Sequence, residues 1–210
     1  MKKNTLIVAL VAFFAIFTVS AQNDAAAVRV IDNVLNLTKS NAVKTNFNLT
    51  VKSVSAGNHT INGNFMMKGN KFVLNTSEMT VFFDGKTQWT YIKDLNEVSV
   101  TNPTEKELGE ANPMVILSSC KAKSFIKMGQ NSAVAHVIEL TPKTANSEFK
   151  KIIVSVNKSN NYPLSMQMTD KKGNVSTLTL TQFRANQKAA DNEFVFNKNQ
   201  FKGVEVNDLR

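Results

Sequence analysis

The sequence predicts a mainly β protein: an antiparallel meander of about 10–11 strands, with one helix in front and a short helical insertion in the middle. Three observations carry this prediction. Apolar residues alternate with polar ones over most of the chain. Gly- and Asn-rich turns separate these runs at short intervals. Helix-start signals occur near residue 24 and near residues 104–113.

The first 21 residues are typical of a secretory signal peptide. Lys2 and Lys3 precede an apolar run from Leu6 to Val19, and Val19-Ser20-Ala21 supplies the small residues of a cleavage site before Gln22. The run is shorter than the roughly 20 residues of a bilayer span. We therefore expect an exported, soluble domain over residues 22–210, without the cysteine that would mark a bacterial lipoprotein.

Residues 24–38 have the period of a helix. Val28, Ile31 and Leu35 fall on one stripe, and Asn23 or Asp24 can cap the first turn. After residue 41 the period changes to two, and Phe47 and Leu49 alternate with polar residues as in a half-buried strand.

The stretch 61–91 carries the clearest strand pattern. Gly69-Asn70 predicts a tight turn, and Asp84-Gly85 predicts a two-residue hairpin loop. One face of these strands carries large apolar side chains: Phe65, Met67, Phe72, Leu74, Met79, Val81 and Phe83. Trp89 follows on the next strand. Such a face suits either an ordinary core or an irregular apolar guest.

Residues 103–119 interrupt the meander. Thr104 and Glu107 form a capping box, and Asn112-Pro113 combines an N-cap with proline at the first helical position. A short helix over 114–119 presents Met114, Ile116 and Leu117. An apolar helical insertion between strands is expected to cover a sheet face or an opening.

The remaining chain returns to strands, expected over residues 123–129, 133–141, 149–157, 164–170 and 175–184. Phe194 and Phe196 then share one face, and a loop and a final short strand close the chain.

Charge and chemistry exclude several functions. The net charge is +9, but the basic residues are scattered and include no arginine-rich tract. This distribution argues against nucleic-acid binding. It is compatible with weak attraction to an anionic membrane surface or to an acidic partner. His59 and His136 have no metal-ligand spacing, and no nucleophile or phosphate-binding motif is present. The single cysteine, Cys120, rules out an internal disulfide and is expected to be a small buried hydrophobe. We expect neither an enzyme nor a cofactor.

The chain resembles the periplasmic outer-membrane lipoprotein carrier family, the LolA-like proteins. The resemblance covers essentially all of residues 22–210. It is carried, in order, by Gly63-Asn64-Phe65, Lys71-Phe72, Asp84-Gly85-Lys86-Thr87-Gln88-Trp89-Thr90-Tyr91, Asn112-Pro113-Met114, Leu140-Thr141-Pro142-Lys143, Asp170-x-x-Gly173, Phe194-x-Phe196 and Gly203-Val204-x-Val206.

The resemblance implies an unclosed, strongly curved antiparallel β-barrel whose helices form a lid over an apolar cavity. It implies a monomeric periplasmic carrier that takes acylated lipoproteins from an inner-membrane ABC-type release complex to an outer-membrane acceptor. A sensor of lipid or lipoprotein, or a glycolipid carrier, would have the same fold, although sensors usually carry a second domain.

On this basis we expect two sets of residues to meet. The lid set is Val28, Ile31, Leu35, Met114, Ile116 and Leu117. The cavity set is Phe47, Leu49, Phe65, Met67, Phe72, Leu74, Met79, Val81, Phe83 and Trp89. The alternative is that both sets pack as a dry core.

One feature departs from the family pattern. The family has Arg-Pro in the turn after the Gly-x-Phe strand, and that arginine bonds to the lid. Here the turn is Lys68-Gly69-Asn70-Lys71. A lysine can offer a point charge at this place but not the planar fork of an arginine.

Overall fold

The computed structural model describes residues 23–210, apart from the side chains of Lys106 and Glu110. The expected signal peptide over residues 1–21 lies outside these residues. The described chain is mainly β and forms one curved sheet of twelve strands. The strands are β1 (Ala42–Ser53), β2 (Gly57–Lys68), β3 (Lys71–Thr76), β4 (Met79–Phe83), β5 (Gln88–Ile92), β6 (Glu97–Thr101), β7 (Ser124–Met128), β8 (Ala135–Pro142), β9 (Phe149–Asn157), β10 (Pro163–Asp170), β11 (Val175–Gln187) and β12 (Glu205–Asp208).

The sheet consists of two meanders joined along one pair of strands. Its order is β12-β6-β5-β4-β3-β2-β1-β11-β10-β9-β8-β7, so β1 and β11 are neighbours although they are far apart in sequence. Two register irregularities occur where β11 faces Ala42, Lys44 and Asn46. Gln182 and Asn186 of β11 have φ values of 52° and 56°. Bulges of this kind bend a strand and increase its twist, which curves the sheet around its concave face.

The barrel is unclosed because β7 and β12 at the two ends of the sheet do not pair with each other. The expected number of 10–11 strands is one or two short of the twelve observed, and β12 differs from the rest by running parallel to β6. It does so because the chain crosses the outer face of the sheet before it returns. The edge of β7 is covered at Ile126, whose carbonyl accepts from Asp24 N and whose N–H donates to Asn23 Oδ1.

Three helices agree with the sequence signals: α1 (Ala25–Asn36), α2 (Glu105–Ala111) and α3 (Pro113–Lys123). The side chain of Asp24 accepts from the N–H groups of Ala26 and Ala27. The capping box of Thr104 and Glu107 is formed, and Asn112 accepts from Met114 N. The cap therefore starts each helix where the sequence predicts, while α3 continues one turn further than expected.

The Asp84-Gly85 turn is longer than predicted. Phe83 pairs with Gln88, which leaves a loop of four residues rather than two. Its cause is local: Asp84 Oδ1 accepts from the N–H groups of Lys86 and Thr87, each at 2.8 Å. The carboxylate thus completes an Asx turn that holds two further residues outside the ladder.

Most of the buried apolar residues in the described part of the chain belong to three clusters. The first joins α1 and α3 to β7, β8 and β9, and contains Ile31, Val34, Leu117, Ile138 and Ile152. The second lies on the concave face of β1 to β4, around Phe65, Phe72 and Phe83. The third lies under the C-terminal segment and contains Val98, Phe196 and Val204.

The C-terminal segment is fastened to the turn between β2 and β3. Phe194 and Phe196 are both buried, as expected for residues that anchor this segment. Asp191, at the start of a one-turn 3-10 helix, pairs with Lys71 at 2.9 Å and with Lys68 at 3.4 Å. Lys68 Nζ also donates to the Ala189 carbonyl at 3.0 Å. The hydrogen bond and charge of Lys71, followed by those of Lys68, lower the pKa of Asp191 below its ordinary value of 3.8.

We expect Asp191→Asn to weaken this attachment at neutral pH. A carboxylate with a lowered folded-state pKa stabilises the fold above its ordinary value of 3.8, and this stabilisation is lost as the pH falls through the lowered pKa. The difference in urea midpoint between wild type and Asp191→Asn should therefore be largest near pH 7 and shrink below pH 3.8. Asp94→Asn, in an exposed turn, is the matched control. An equal effect of Asp191→Asn at all pH values would contradict the ion-pair explanation.

Candidate functional site

An apolar cavity of about 730 Å³ lies between the concave face of the sheet and the helical insertion. Its floor is formed by β1 to β4 together with β9, β10 and β11, and its roof by α2 and α3. The lining side chains are mostly Leu, Ile, Met and Phe. A volume of roughly 300–1,000 Å³ is typical of pockets that take a small organic guest.

Most of the expected cavity residues do line it. Those on the wall are Phe47, Leu49, Phe65, Met67, Leu74 and Met79. Phe72, Val81 and Phe83 belong to the same cluster but lie beneath the wall. The ring of Phe72 packs against the rings of Phe65 and Phe83, with centroid distances of 5.5 Å and 5.4 Å. The concave face is therefore both a packed core and, towards one end, a cavity wall.

Gly63 explains how Phe47 reaches this wall. The two residues are paired across β1 and β2. A Cβ at Gly63 would lie 2.2 Å from the Asn75 carbonyl oxygen and 2.8 Å from the Phe47 ring. The position accepts only glycine, because the Asn75 carbonyl oxygen and the Phe47 ring both occupy the space that a Cβ would need.

Trp89 lies on the other face of the sheet, which corrects its assignment to the cavity. It pairs with Phe82 and Val100 and packs in the third cluster, beneath the C-terminal segment. A strand alternates between faces with period two, so Trp89 shares the face of Phe82 whether the preceding loop has two or four residues. The register alone could have excluded it.

Helix α1 also lies elsewhere than expected. Val28, Ile31 and Leu35 pack in the first cluster, against the end of the sheet formed by β7 to β9, and none of them lines the cavity. The roof comes from the insertion instead. Ile116 lines the cavity, Met114 contacts both the first and second clusters, and Leu117 is buried in the first. The insertion therefore covers the cavity, and α1 packs beside α3 in the first cluster.

Half of the large apolar residues of the cavity wall lie outside the sets expected from the sequence. The large apolar wall residues outside the expected cavity and lid sets are Ile61, Val115, Phe149, Met166, Met168, Leu178 and Leu180. Leu178 and Leu180 lie directly opposite Leu49 and Phe47 because β11 pairs with β1. The alternation of β11 predicts a buried face, but only the long-range pairing reveals which wall that face completes.

The insertion is held at α3 rather than at the lysine turn. Lys121 of α3 pairs with Asp32 of α1 at 2.5 Å, and Leu117 and Cys120 enter the first cluster. Lys68 and Lys71, the candidates for a lid latch, bind Asp191 of the C-terminal segment instead. The lysines at this turn thus hold the C-terminal segment on the outer face of the sheet rather than the helices that cover the cavity.

Polar groups occur at the margin of the cavity, where Glu105, Glu148 and Asp170 contribute to its lining. The carboxylate of Asp170 accepts from the Asn174 side chain at 2.7 Å and from Asn174 N at 2.8 Å. Burial would raise the pKa of Asp170, but the hydrogen bonds from Asn174, Lys172 and Gly173 outweigh it and lower the pKa. The Asp170 carboxylate therefore stabilises the β10–β11 turn, and the neighbouring residues form the apolar part of the wall.

The histidines and the cysteine of the described residues lie at separate places in the structure. Within residues 23–210, no group of three or more His, Cys, Asp and Glu side chains could hold a metal ion. His59 is exposed on β2, and His136 lies on β8, away from the cavity. Cys120 lines the cavity, and burial raises the pKa of its thiol to about 11. At neutral pH this thiol is a protonated, apolar part of the wall.

In the described part of the chain, no helix has the length and apolar character needed to cross a membrane.

Comparison with known proteins gives one family. The family model described as "Outer membrane lipoprotein carrier protein LolA" matches residues 38–197. No curated protein matches the sequence.

Several solved structures are similar at low identity. An uncharacterized conserved protein from Thermus thermophilus superposes with a TM-score of 0.58 at 11% identity, covering 87% of this chain and 99% of that one. The LolA superfamily protein NE2245 from Nitrosomonas europaea has a TM-score of 0.43 at 13% identity, covering 81% and 97%. MucB in the Pseudomonas aeruginosa MucA/MucB complex has a TM-score of 0.43 at 12% identity, covering 83% and 62%. The first likeness shows the fold and nothing further.

The Cys120 thiol offers a direct probe of the cavity. Because its pKa is raised to about 11, we expect alkylation by iodoacetamide to be slow at pH 8 and to accelerate up to pH 11. Urea-unfolded protein, followed by mass spectrometry in the same way, should react as a thiol of ordinary pKa. An added fatty acid should slow the reaction of the folded protein further. A folded-state rate that levels off near pH 9 would contradict the burial of this thiol.

Proposed function

Because the chain belongs to the LolA family of outer-membrane lipoprotein carrier proteins, whose model matches residues 38–197, we propose that it is a lipoprotein carrier. Its cavity takes the acyl chains of lipoproteins and shields them from water during transfer from the inner to the outer membrane. The family is typically periplasmic. The proposed carrier domain spans residues 22–210, behind a cleaved signal peptide at 1–21.

The observation that supports this proposal best is the apolar cavity of about 730 Å³ with Leu, Met and Phe walls. Met side chains bend easily and fit guests of irregular shape. Residue types with little chemical reactivity (Leu, Ile, Met, Phe and Val) dominate the lining. A wall of this kind can hold a flexible hydrocarbon chain and offers nothing that would cleave it.

Energetics explain why a carrier is needed. Exposure of a ~16-carbon acyl chain to water costs roughly 12 kcal/mol, at about 0.8 kcal/mol for each methylene group. A carrier must recover most of this free energy and still release its cargo. A cavity that is already open and lined with soft side chains meets both needs, because an empty cavity does not have to break a well-packed core before it loads.

The insertion is suited to act as the movable cover. Helix α3 is anchored to α1 through the Lys121–Asp32 pair and the first cluster. Helix α2 contacts the second cluster through the apolar side chains of Leu108 and Ala111. Apolar contacts are not directional, so α2 can shift on the second cluster when acyl chains enter the cavity. The donor in this proposal is an inner-membrane ABC-type release complex, and the recipient is an outer-membrane acceptor.

A matched pair of serines tests the cavity. Ser118 and Ser119 are adjacent, exposed residues of α3, and only Ser119 is a wall residue of the cavity. We expect Ser119→Trp to lower the affinity for a fluorescent fatty-acid probe by about tenfold, because the indole occupies space that the guest needs. Ser118→Trp carries the same change in size and helix propensity and should bind like the wild type. Equal affinity of both variants, or no probe binding by the wild type at micromolar concentration, would count against acyl binding in this cavity.

Lipoprotein transfer is tested separately. Purified protein, incubated with spheroplasts that retain lipoproteins in the inner membrane, should release them into the soluble fraction. Ser119→Trp should release less than Ser118→Trp, since the acyl chains must fit the same cavity. Probe binding without release would favour the alternative of a lipid- or lipoprotein-sensing protein with this fold.

A further inference from the structure

Two hairpins project side by side at one end of the sheet. The β1–β2 turn and the β10–β11 turn are joined by a hydrogen bond from Val54 N to Asn174 Oδ1 at 2.9 Å. A Cβ built at Gly173 would lie 3.7 Å from Cγ2 of Val54, so the side chain of Val54 rests on the neighbouring turn. We call this feature the double-hairpin tip and define it by Lys52, Val54, Lys171 and Lys172.

The double-hairpin tip combines an exposed apolar residue with exposed cations. Val54 has 74% of its surface exposed, the largest value among the exposed large hydrophobic residues of the described chain. Lys52, Lys171 and Lys172 are all exposed beside it. Asp170, which precedes two of the lysines, contributes one negative charge against the three positive charges of the tip. The net charge of the tip with Asp170 included is therefore positive.

The tip lies next to the cavity. Asp170 and Ser176, on either side of the β10–β11 turn, both line it. So does Ile61 of β2, which is also 43% exposed. A surface that contacts Val54 would thus face the margin of the cavity, with Ile61 between the two.

We propose that the double-hairpin tip docks the protein on an anionic lipid bilayer, with the cavity margin turned towards the lipid. This inference goes beyond carriage of acyl chains, because it assigns the protein its own contact with lipid in the absence of cargo. The chemistry on the tip matches an anionic surface: lysines attract the lipid phosphates, and one aliphatic side chain enters the headgroup region.

The expected binding is weak and reversible. Each lysine close to an anionic leaflet contributes roughly a fivefold factor to partitioning, and this attraction extends only about a Debye length of 8 Å at physiological salt. Three lysines and one valine therefore hold the protein transiently. The exposed carboxylates of Glu78 and Asp94 lie on the next two hairpins along the sheet, and Glu105, Glu148 and Asp170 lie at the cavity margin. An anionic bilayer therefore attracts the lysines of the tip and repels these neighbouring carboxylates, so the attraction is confined to the tip.

Vesicle flotation without any lipoprotein tests the proposal. The wild type should bind vesicles made of two parts phosphatidylcholine to one part phosphatidylglycerol, and should not bind pure phosphatidylcholine. Lys171→Glu/Lys172→Glu should lower binding about thirtyfold or more. The control Lys198→Glu/Lys202→Glu makes the same change in net charge on the exposed C-terminal segment and should leave binding within about twofold. Val54→Asp should also weaken binding, whereas Val134→Asp, at a residue 67% exposed at the opposite end of the sheet, should not.

A position-specific reporter gives a second measurement. An environment-sensitive dye on Ala56→Cys, in the β1–β2 turn, should shift to shorter emission wavelength on the anionic vesicles. The same dye on Ala133→Cys, in the loop before β8, should not shift. The raised pKa of Cys120 leaves the engineered thiol as the reactive one at neutral pH.

Two outcomes would overturn the proposal: no binding of the wild type to the anionic vesicles, or equal loss with the control charge reversal. Loss of lipoprotein release in the tip variants without any vesicle binding would identify the tip as a contact for a protein and would also overturn it. The fatty-acid probe assay on the same variants separates the two ideas. Failure of vesicle binding with intact probe binding removes only the docking surface, and the reverse result removes only the carrier function.

Discussion

The pairing of β1 with β11 is the contact on which the rest of this structure depends. It joins residues more than a hundred positions apart and connects two antiparallel meanders into one sheet. Closing such a long loop costs conformational entropy, which the long ladder and the facing apolar pairs Phe47–Leu180 and Leu49–Leu178 must outweigh. The bulges near Gln182 and Asn186 bend this junction, and the bend produces the concave space over which α2 and α3 lie.

Different parts of the concave face form a packed core and a cavity wall. Phe72, Val81 and Phe83 are fully packed and hold the meander together, whereas Leu49, Leu74 and Met79 retain access to the cavity. The close-packed region makes this part of the sheet rigid beside the open part that lines the cavity. The lysine turn reinforces this division, because Lys68 and Lys71 secure the C-terminal segment on the outer face and leave the cover without a tie at that place.

Much of the fold could be predicted, and the misses have physical causes. Capping at Asp24, Thr104 and Asn112 depends on side chains within three residues of the groups they bind, so the helix starts were visible in the sequence. Phe65 and Met67 were recognised as wall residues because alternation is local. Trp89 does not line the cavity, because the alternation of its strand puts it on the same face as Phe82. The expected position of α1 is wrong because an apolar stripe predicts that a helix is buried but does not identify the surface against which it packs. Met166, Met168 and Leu178 were missed since their wall exists only after β11 meets β1.

The sequence alone determined the strand and helix pattern, the apolar and unreactive character of one sheet face, and the family through motifs spread along the chain. Each of these depends on residues that are close in sequence or on their order. The tertiary structure decided which faces oppose each other. It places the insertion rather than α1 over the cavity, and it brings β10 and β11 into the cavity wall. It also pairs Asp191 with Lys68 and Lys71, and it sets Val54 at the same tip as Lys171 and Lys172. These are relations between segments that are distant in sequence. A burial pattern is compatible with several partner segments, and only the long-range strand pairing selects one of them.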